Sequence, residues 1–280
     1  MKNVRVWLGA VGLVWGLGMG AAAYAQDAMT LVKEAVKTEL AADASDQSIW
    51  RYRDEQKDAH TTSIVVETKQ ASVKRMVAKS GQPLTGEEAA AEQTRLEDFI
   101  HDSGKIAKQK KDGAEDDKNA RELLTMLPES FTWTMGADTG ETATLKFVPN
   151  PAFHPPDMQS RVLGAMSGEL VVDKTSHRIR TIKGTLLQDV VIGYGLLGRL
   201  KQGGTFRVER RQVGPGIWQI TETHVHISGR ALLFKSIGQQ QDEVQTEFTA
   251  VPQGTTLEQA VAMSKTTGEA GGEKRASGAK

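Results

Sequence analysis

Alternation of apolar and polar residues dominates the second half of the chain. It begins with Phe131-Thr-Trp-Thr-Met135, where apolar side chains alternate with threonines. Short turns that contain glycine or proline separate the segments, so the pattern predicts an antiparallel sheet with one buried face. With three strands from the first half, the sheet would have about nine to eleven strands and must curl. The later alternating segments begin near Ala143, Leu170, Phe206, Leu232 and Val244.

Two regions of the first half carry apolar residues at helical spacing. Residues 30–41 form an amphipathic stretch, and Leu96 and Ile100 belong to the clearest stripe of a helical insert at about 85–127. The segment 50–79 lies between these regions and alternates like three further strands. The first half therefore predicts a helix, three strands and a helical insert.

Within the insert, we expect a break and an early end. The run 108–118, KQKKDGAEDDK, is charged throughout its length and contains Gly113, which favours an interruption between two helices. Pro128 cannot continue a helix, so the second helix is expected to stop there. The fold class that results is mainly β, of the α+β kind, with the helices covering the apolar face of the sheet.

Both ends of the chain are predicted to lie outside the folded domain. Val6 to Ala22 is apolar after a short basic start, and Ala23-Tyr24-Ala25 has the small residues that signal peptidase requires. The alternative is a transmembrane anchor, but the run is near the lower length limit for one and is diluted by glycine. We predict a cleaved signal peptide at 1–25, a periplasmic protein without a transmembrane span, and one domain at 26–262. Residues 263–280 have almost no apolar side chains and should be disordered.

The amino-acid composition argues against some classes of function. The chain has 35 basic and 35 acidic residues, and this balance argues against nucleic acid as a partner, because nucleic-acid binders carry a basic excess. It has no cysteine, which excludes disulfides, thiolate chemistry and a lipid-modified N-terminal cysteine. The expected domain is long enough to bury a core without disulfides.

One motif suggests a nucleotide cofactor. Gly193, Gly195 and Gly198 have the G-x-G-x-x-G spacing of a dinucleotide-binding loop and follow β-branched residues. Such a loop needs a parallel strand before it and a long helix after it. Here Gly203-Gly204 ends any helix after about two turns, and alternation resumes. We therefore expect the glycines to bend the chain, and we predict no cofactor.

Candidate catalytic or metal-binding residues are few. His224 and His226 would share a face of a strand and could chelate a metal, with Glu222 and Asp242 as nearby carboxylates. Zinc sites normally have three or four ligands, so a solvated histidine pair is favoured over a metal site. No G-x-S-x-G, H-E-x-x-H or S-x-x-K motif is present. The sequence thus predicts a protein that is not an enzyme.

The order of elements resembles the LolA/LolB-like superfamily of periplasmic proteins. The stretch SGELVVDKTSHRIRTIKGTL (167–186) is similar to a hairpin common in that superfamily, and FVPNPAFHPP (147–156) is similar to a secreted, uncharacterised bacterial branch of it. The resemblance implies a curved, unclosed antiparallel β half-barrel with helices on its concave face. It also implies binding of a lipid or an acylated protein in an apolar cavity.

These observations lead to a main expectation and two alternatives. The main expectation is a binding or carrier protein for a lipid, an acylated protein or another apolar ligand, without catalysis. One alternative is a structural or interaction module with a protein partner in the envelope, and a less favoured one is a metal-dependent enzyme. The residues expected to line or underlie the ligand groove, or to form the core, are Trp133, Leu145, Phe147 and Leu170.

Overall fold

The computed structural model describes residues 18–192, 198–231 and 240–265. Within these ranges the chain forms an α+β fold with helices at both ends of the described sequence. None of the helices in these ranges combines the length and the apolar character that crossing a membrane requires. The helices are α1 (Gly18–Ser45), α2 (Gly86–His101), α3 (Ser103–Ser130), α4 (Met158–Leu163) and α5 (Leu257–Met263).

The strands form one large sheet and one small sheet. Strands β1 to β4 come first along the chain, and ten more follow α3. They are β1 (Trp50–Gln56), β2 (Thr61–Val66), β3 (Val73–Lys79), β4 (Gln82–Pro83), β5 (Phe131–Asp138), β6 (Thr142–Pro149), β7 (Met166–Asp173), β8 (Arg178–Leu186), β9 (Val190–Ile192), β10 (Gly198–Leu200), β11 (Thr205–Gly214), β12 (Ile217–His226), β13 (Gly229–Ala231) and β14 (Gln240–Ala250).

The large sheet has eleven strands in the order β4-β3-β2-β1-β14-β12-β11-β8-β7-β6-β5. All its pairings are antiparallel, and β4 and β5 are edge strands that do not pair with each other. The prediction of a large antiparallel sheet that does not close into a barrel is therefore confirmed. The predicted strand at Leu232 lies outside the described residues.

The small sheet contains the glycine-rich motif. Strands β9 and β10 pair antiparallel, and β10 pairs with β13. Gly198 is the first residue of β10, so the motif leads into a strand and not into the helix that a dinucleotide-binding loop requires. Gly193 and Gly195 lie outside the described residues.

Two predicted helix boundaries are wrong, and one short helix was not predicted. Helix α3 runs through the charged segment 108–118 without a break, because lysine, glutamate and alanine favour helix and ion pairs such as Lys108–Asp112 form along it. It also passes Pro128, which lies in the last turn, and ends at Ser130. Helix α5 was not predicted, although Thr256 caps it and Ser264 after it is 1% exposed.

The apolar core consists of two clusters on opposite faces of the large sheet. Residues that pair across neighbouring strands lie on the same face of a sheet. When these pairs are followed from strand to strand, Phe147 on β6, Val225 on β12 and Asp54 on β1 all lie on one face. We call this side the Trp133 face. Ser63 pairs with Asp54, so the next residue, Ile64, points to the opposite side.

Helices cover both faces. Helix α1, helix α4 and the end of α3 pack on the Trp133 face over β5 to β8. Helices α2 and α5 pack on the opposite face over Ile64, Val66 and Val73. Arg75, which shares that face with Ile64, donates to the hydroxyl of Ser264 after α5. The expectation that the predicted helices share one face is therefore wrong for α2, because β2 and β3 have apolar residues on both sides. Helix α5, which was not predicted, lies on the same face as α2.

Candidate functional site

The four residues predicted for the ligand groove lie together on the Trp133 face. Trp133 pairs with Phe147 across β5 and β6, and Leu145 pairs with Leu170 across β6 and β7. None of the four is more than 2% exposed. The rings of Trp133 and Phe147 have centroids 5.3 Å apart, and Phe131 contacts both. The register therefore brings them into one aromatic and aliphatic layer that is fully buried.

Helix α1 covers this layer with small side chains. Ala28, Val32, Ala35 and Val36 recur at helical spacing, belong to the same cluster and are at most 6% exposed. Alanine and valine reach only a short distance from the helix backbone, so the large aromatic rings on the sheet fill most of the space between the layers. The prediction of an amphipathic helix at 30–41 is confirmed, but the buried stripe begins at Ala28, and α1 extends across the predicted cleavage site after Ala25.

Two adjacent glycines shape the sheet beneath this layer. Gly168 on β7 pairs with Gly184 on β8. A Cβ atom on Gly168 would clash with the carbonyl oxygen of Lys183, and one on Gly184 would lie 2.5 Å from the ring of Phe206. Glycine is therefore required at both positions for the close approach of the two strands and of the Phe147 and Phe206 rings.

A buried ion-pair network attaches α1 to the sheet. Glu39 on α1 is 4% exposed and accepts two hydrogen bonds of 3.0 Å from Arg178 and one of 2.7 Å from the backbone N–H of Ile179. Arg210 on β11 also donates to Glu39. Burial alone raises the pKa of Glu39, but the two guanidinium groups and the Ile179 N–H outweigh burial and lower it. Glu39 is thus a charged anchor between α1, β8 and β11.

An open groove of about 530 Å³ lies beside this anchor. We call it the arginine groove, because Arg180, Arg210 and Arg211 line it around Trp218. Asp173 accepts from Arg180 at 2.5 Å and from the backbone N–H of Ser176 at 2.8 Å. Burial raises the pKa of Asp173, but the Ser176 N–H and hydroxyl and the Arg180 guanidinium outweigh it and lower the pKa to about 2. Asp173, like Glu39, is therefore charged at neutral pH.

The predicted histidine pair lies on the face opposite Trp133. His224 Nδ1 is 2.7 Å from one oxygen of Asp242, and His226 Nε2 is 2.9 Å from the other. Glu222 is 3.4 Å from His224 Nε2. The two imidazoles hold Asp242 in its charged form and lower its pKa. No group of three or more His, Asp or Glu side chains in the described part of the chain is arranged to bind a metal ion.

A second open groove lies next to the histidine pair. It has a volume of about 650 Å³ and spans β6 to β12, with His224, Arg207, Lys183 and Glu169 among its lining residues. Glu169 and Lys183 form an ion pair of 2.9 Å within it. The groove combines apolar and charged lining residues, and Arg207 and His224 pair with acids outside it.

Sequence reasoning missed a buried carboxyl pair. Asp54 on β1 is 1% exposed, hydrogen-bonds to Glu243 on β14 and pairs with Lys74. Burial raises the pKa of Asp54, whereas Gln245 and Gln241 donate to Glu243 and lower its pKa despite burial. The two acids are far apart along the chain, and only the alternating glutamines around Glu243 could have drawn attention to them.

Comparison with known proteins gives no relative from which a function could be transferred. No family model, curated protein or solved structure matches the chain.

Proposed function

We propose that this chain is a non-catalytic periplasmic carrier that binds an apolar ligand, a lipid or the acyl chain of an acylated protein, on the Trp133 face. The observation that carries the proposal is the thin cover on that face. A broad layer of Trp133, Phe147, Leu145 and Leu170 is covered by a single layer of helices, in which α1 contributes only alanine and valine to the buried stripe. None of these four side chains is titratable, so the site offers apolar contact and no acid, base or nucleophile.

In this proposal the sheet is concave on the Trp133 face, as the resemblance to a half-barrel implies. A concave apolar surface beneath a helix with small side chains is a suitable site for an acyl chain, if α1 moves aside. Each buried CH₂ group contributes ~0.8 kcal/mol, and a buried valine about 1.5–3 kcal/mol. Burial of about ten CH₂ groups of an acyl chain would therefore contribute at least as much free energy as burial of Val32, Val36 and the two alanines of α1.

The anchor at Glu39 supports a hinged movement of α1. Glu39 lies near the C-terminal end of α1, whereas Ala28 and Val32 lie toward its N-terminal end. The N-terminal part of the buried stripe is held by apolar contacts of small side chains, and the other end is held by charged hydrogen bonds. We expect α1 to open at the end farther from Glu39.

The first test is purification of the full chain from a bacterial periplasm, followed by native mass spectrometry. We expect an additional mass that organic solvent removes and that lipid analysis identifies. The extracted protein should then raise the fluorescence of cis-parinaric acid. Repeated absence of a bound apolar molecule, together with no fluorescence change, would overturn the proposal.

A matched pair of variants tests the role of α1. Glu39→Gln should speed uptake of cis-parinaric acid, because α1 can then leave the sheet at its anchored end as well as at the end that opens first. Glu34→Gln makes the same change on α1 at a side chain that is 54% exposed, and uptake should stay as in the unchanged protein. Equal uptake rates in all three proteins would argue against α1 as the moving cover.

A second candidate function, a protein-interaction module of the envelope, is favoured by α3. Residues 107–118 of this helix are exposed on every side, although the helix contributes Ile106 to one core cluster and Leu127 to the other. A photo-crosslinking residue in place of Lys111 should capture one defined partner in cells, and the same residue in place of Thr144 should not. Identical crosslinks from both positions would remove the support for this candidate.

A further inference from the structure

The arginine groove contains more positive than negative charge. Arg178 and Arg210 both pair with the single carboxylate of Glu39, and Arg180 pairs with Asp173. Arg211 and Glu209 also line the groove and pair with each other at 3.4 Å. Four guanidinium groups thus meet three carboxylates around Trp218. Side-chain exposure is 8% for Arg178 and 22% for Arg210, so the surplus charge is largely shielded from water. A buried charge without a full partner is costly.

The surplus guanidinium faces an open space. Arg210 lines the groove together with Arg180, and it uses Nη1 for Glu39 and Nη2 for the carbonyl of Trp218 at 3.2 Å. Arg180 uses Nε and Nη2 for Asp173. A guanidinium carries five N–H groups in a planar fork. Both arginines therefore have N–H groups beyond those that these bonds occupy within the described residues.

The uncharged lining groups fit an anionic ligand with an organic part, and the carboxylate of Glu209 is engaged by Arg211. The hydroxyl of Thr175 and the amide of Gln212 also line the groove. The guanidinium carbon atoms of Arg178 and Arg180 each lie 5.9 Å from the centroid of the Trp218 ring. Planar, fixed guanidinium groups bind phosphate through paired hydrogen bonds.

We propose that the arginine groove is a binding site for the phosphate group of an anionic ligand, held by Arg180 and Arg210. The phosphate balances the one positive charge that remains after Glu39, Asp173 and Glu209 have paired. The site is separate from the apolar layer on the Trp133 face and does not rest on the proposed carrier function. The phosphate can belong to a soluble phosphate ester or to a phospholipid headgroup, and the experiment separates these sources.

The test uses isothermal titration of the full mature chain with three probes. They are inorganic phosphate, dodecyl phosphate and phosphatidylcholine vesicles that contain phosphatidylglycerol. We expect one phosphate-binding site whose affinity falls as salt rises, because the contact is ionic. Binding of soluble phosphates alone assigns the site to phosphate esters, and additional binding of the anionic vesicles assigns it to headgroups.

Variants locate the site. Arg180→Gln and Arg210→Gln should each weaken phosphate binding about tenfold or more, since each removes a charge-assisted hydrogen bond. Arg210→Gln leaves Glu39 with both bonds to Arg178, so the fold should persist, and circular dichroism checks this. Arg199→Gln, at a side chain that is 61% exposed and paired with Asp189, is the control and should bind as the unchanged protein does.

Two results would overturn the proposal. One is the absence of heat with all three probes at millimolar concentration. The other is binding that Arg180→Gln and Arg210→Gln leave unchanged, or that Arg199→Gln weakens equally. A negative result with phosphate leaves the test with cis-parinaric acid unaffected, so the two proposals can fail separately.

Discussion

At the scale of single residues, a few polar and glycine positions determine how the layers meet. Glu39 joins a helix to two strands, Asp173 fixes the hairpin between β7 and β8, and Gly168 and Gly184 permit a close approach of strands. Glu39 and Gly184 have counterparts that lack their contacts, Glu34 and Gly254. Their contributions can therefore be measured by paired substitutions.

The first prediction concerns Glu39. Glu39→Gln removes the charge that balances Arg178 and Arg210, and breaking a buried ion pair from one side costs about 3–5 kcal/mol. Urea unfolding should show a loss of this order. Glu34→Gln on the same helix should change the free energy of unfolding by less than about 1 kcal/mol, because its side chain is exposed. Similar losses in both variants would contradict the network.

The second prediction concerns the glycine pair. Gly184→Ala should destabilise the protein by about 1–3 kcal/mol or more, because the added methyl group overlaps the Phe206 ring in a packed layer. Gly254→Ala is the control, since a Cβ atom there has no neighbour within 4 Å. Thermal unfolding monitored by circular dichroism measures both. A Gly184→Ala protein as stable as the control would show that the strands are farther apart than described.

The third prediction is a pH dependence at Asp173. Its folded pKa of about 2 lies below the ordinary value of 3.8, so its contribution to stability is fully present above about pH 4 and is lost as the pH falls toward 2. Asp173→Asn removes that contribution. The free energy of unfolding of the two proteins should differ at pH 5 and converge near pH 2. A difference that stays constant across this range would exclude a charged Asp173 as its source.

At the scale of elements, α3 shows how local ion pairs overcome a weak helix position. Its middle section has no core contacts, and Gly113 lies within it, yet the helix is continuous from Ser103 to Ser130. Two ion pairs, Lys108–Asp112 and Lys118–Glu122, flank Gly113. In each pair, the two residues are one helical turn apart. The two ends of α3 are fixed in different core clusters, which makes a straight connection favourable.

The fourth prediction tests this continuity. Gly113→Ala should stabilise the protein by roughly 0.5–1 kcal/mol, because alanine has the higher helix propensity and the position is open to solvent. Gly140→Ala is the contrast, since Gly140 has a φ of +85° in a turn and alanine there should destabilise. Urea unfolding measures both variants. If Gly113→Ala also destabilises, the chain is not helical at residue 113.

At the scale of the whole molecule, one sheet supports two cores on its two faces. The cluster on the Trp133 face depends on α1, and the opposite cluster depends on α2 and α5. The last helix therefore belongs to the fold. Ser264, beyond the predicted domain end at 262, is buried and accepts a hydrogen bond of 2.8 Å from Arg75.

The fifth prediction is a pair of truncations. A chain that ends after Lys265 should unfold with the same free energy as the full chain. A chain that ends after Thr256 loses the burial of Leu257 and Val261 and leaves Arg75 without Ser264. At about 1.5–3 kcal/mol for each large apolar side chain, it should lose on the order of 5 kcal/mol. Equal stability of the two truncated chains, measured in urea, would show that α5 is not part of the core.

The sequence alone determined most of the long strands, the antiparallel sheet and the membership of the apolar layer, because period-two alternation fixes which side chains share a face. On this basis the sequence predicted one shared face for Trp133, Leu145, Phe147 and Leu170. It also predicted that the glycine motif is not a nucleotide-binding loop. The short strands β4 and β10 were not predicted. Only the tertiary structure decided which helices cover which face. Because β2 and β3 have apolar residues on both sides, the pattern alone does not say on which side a helix packs. Likewise the tertiary structure alone joined Glu39 to Arg178 and Arg210, and Asp54 to Glu243, since contacts between residues far apart in the chain depend on strand order and register, which local patterns do not specify.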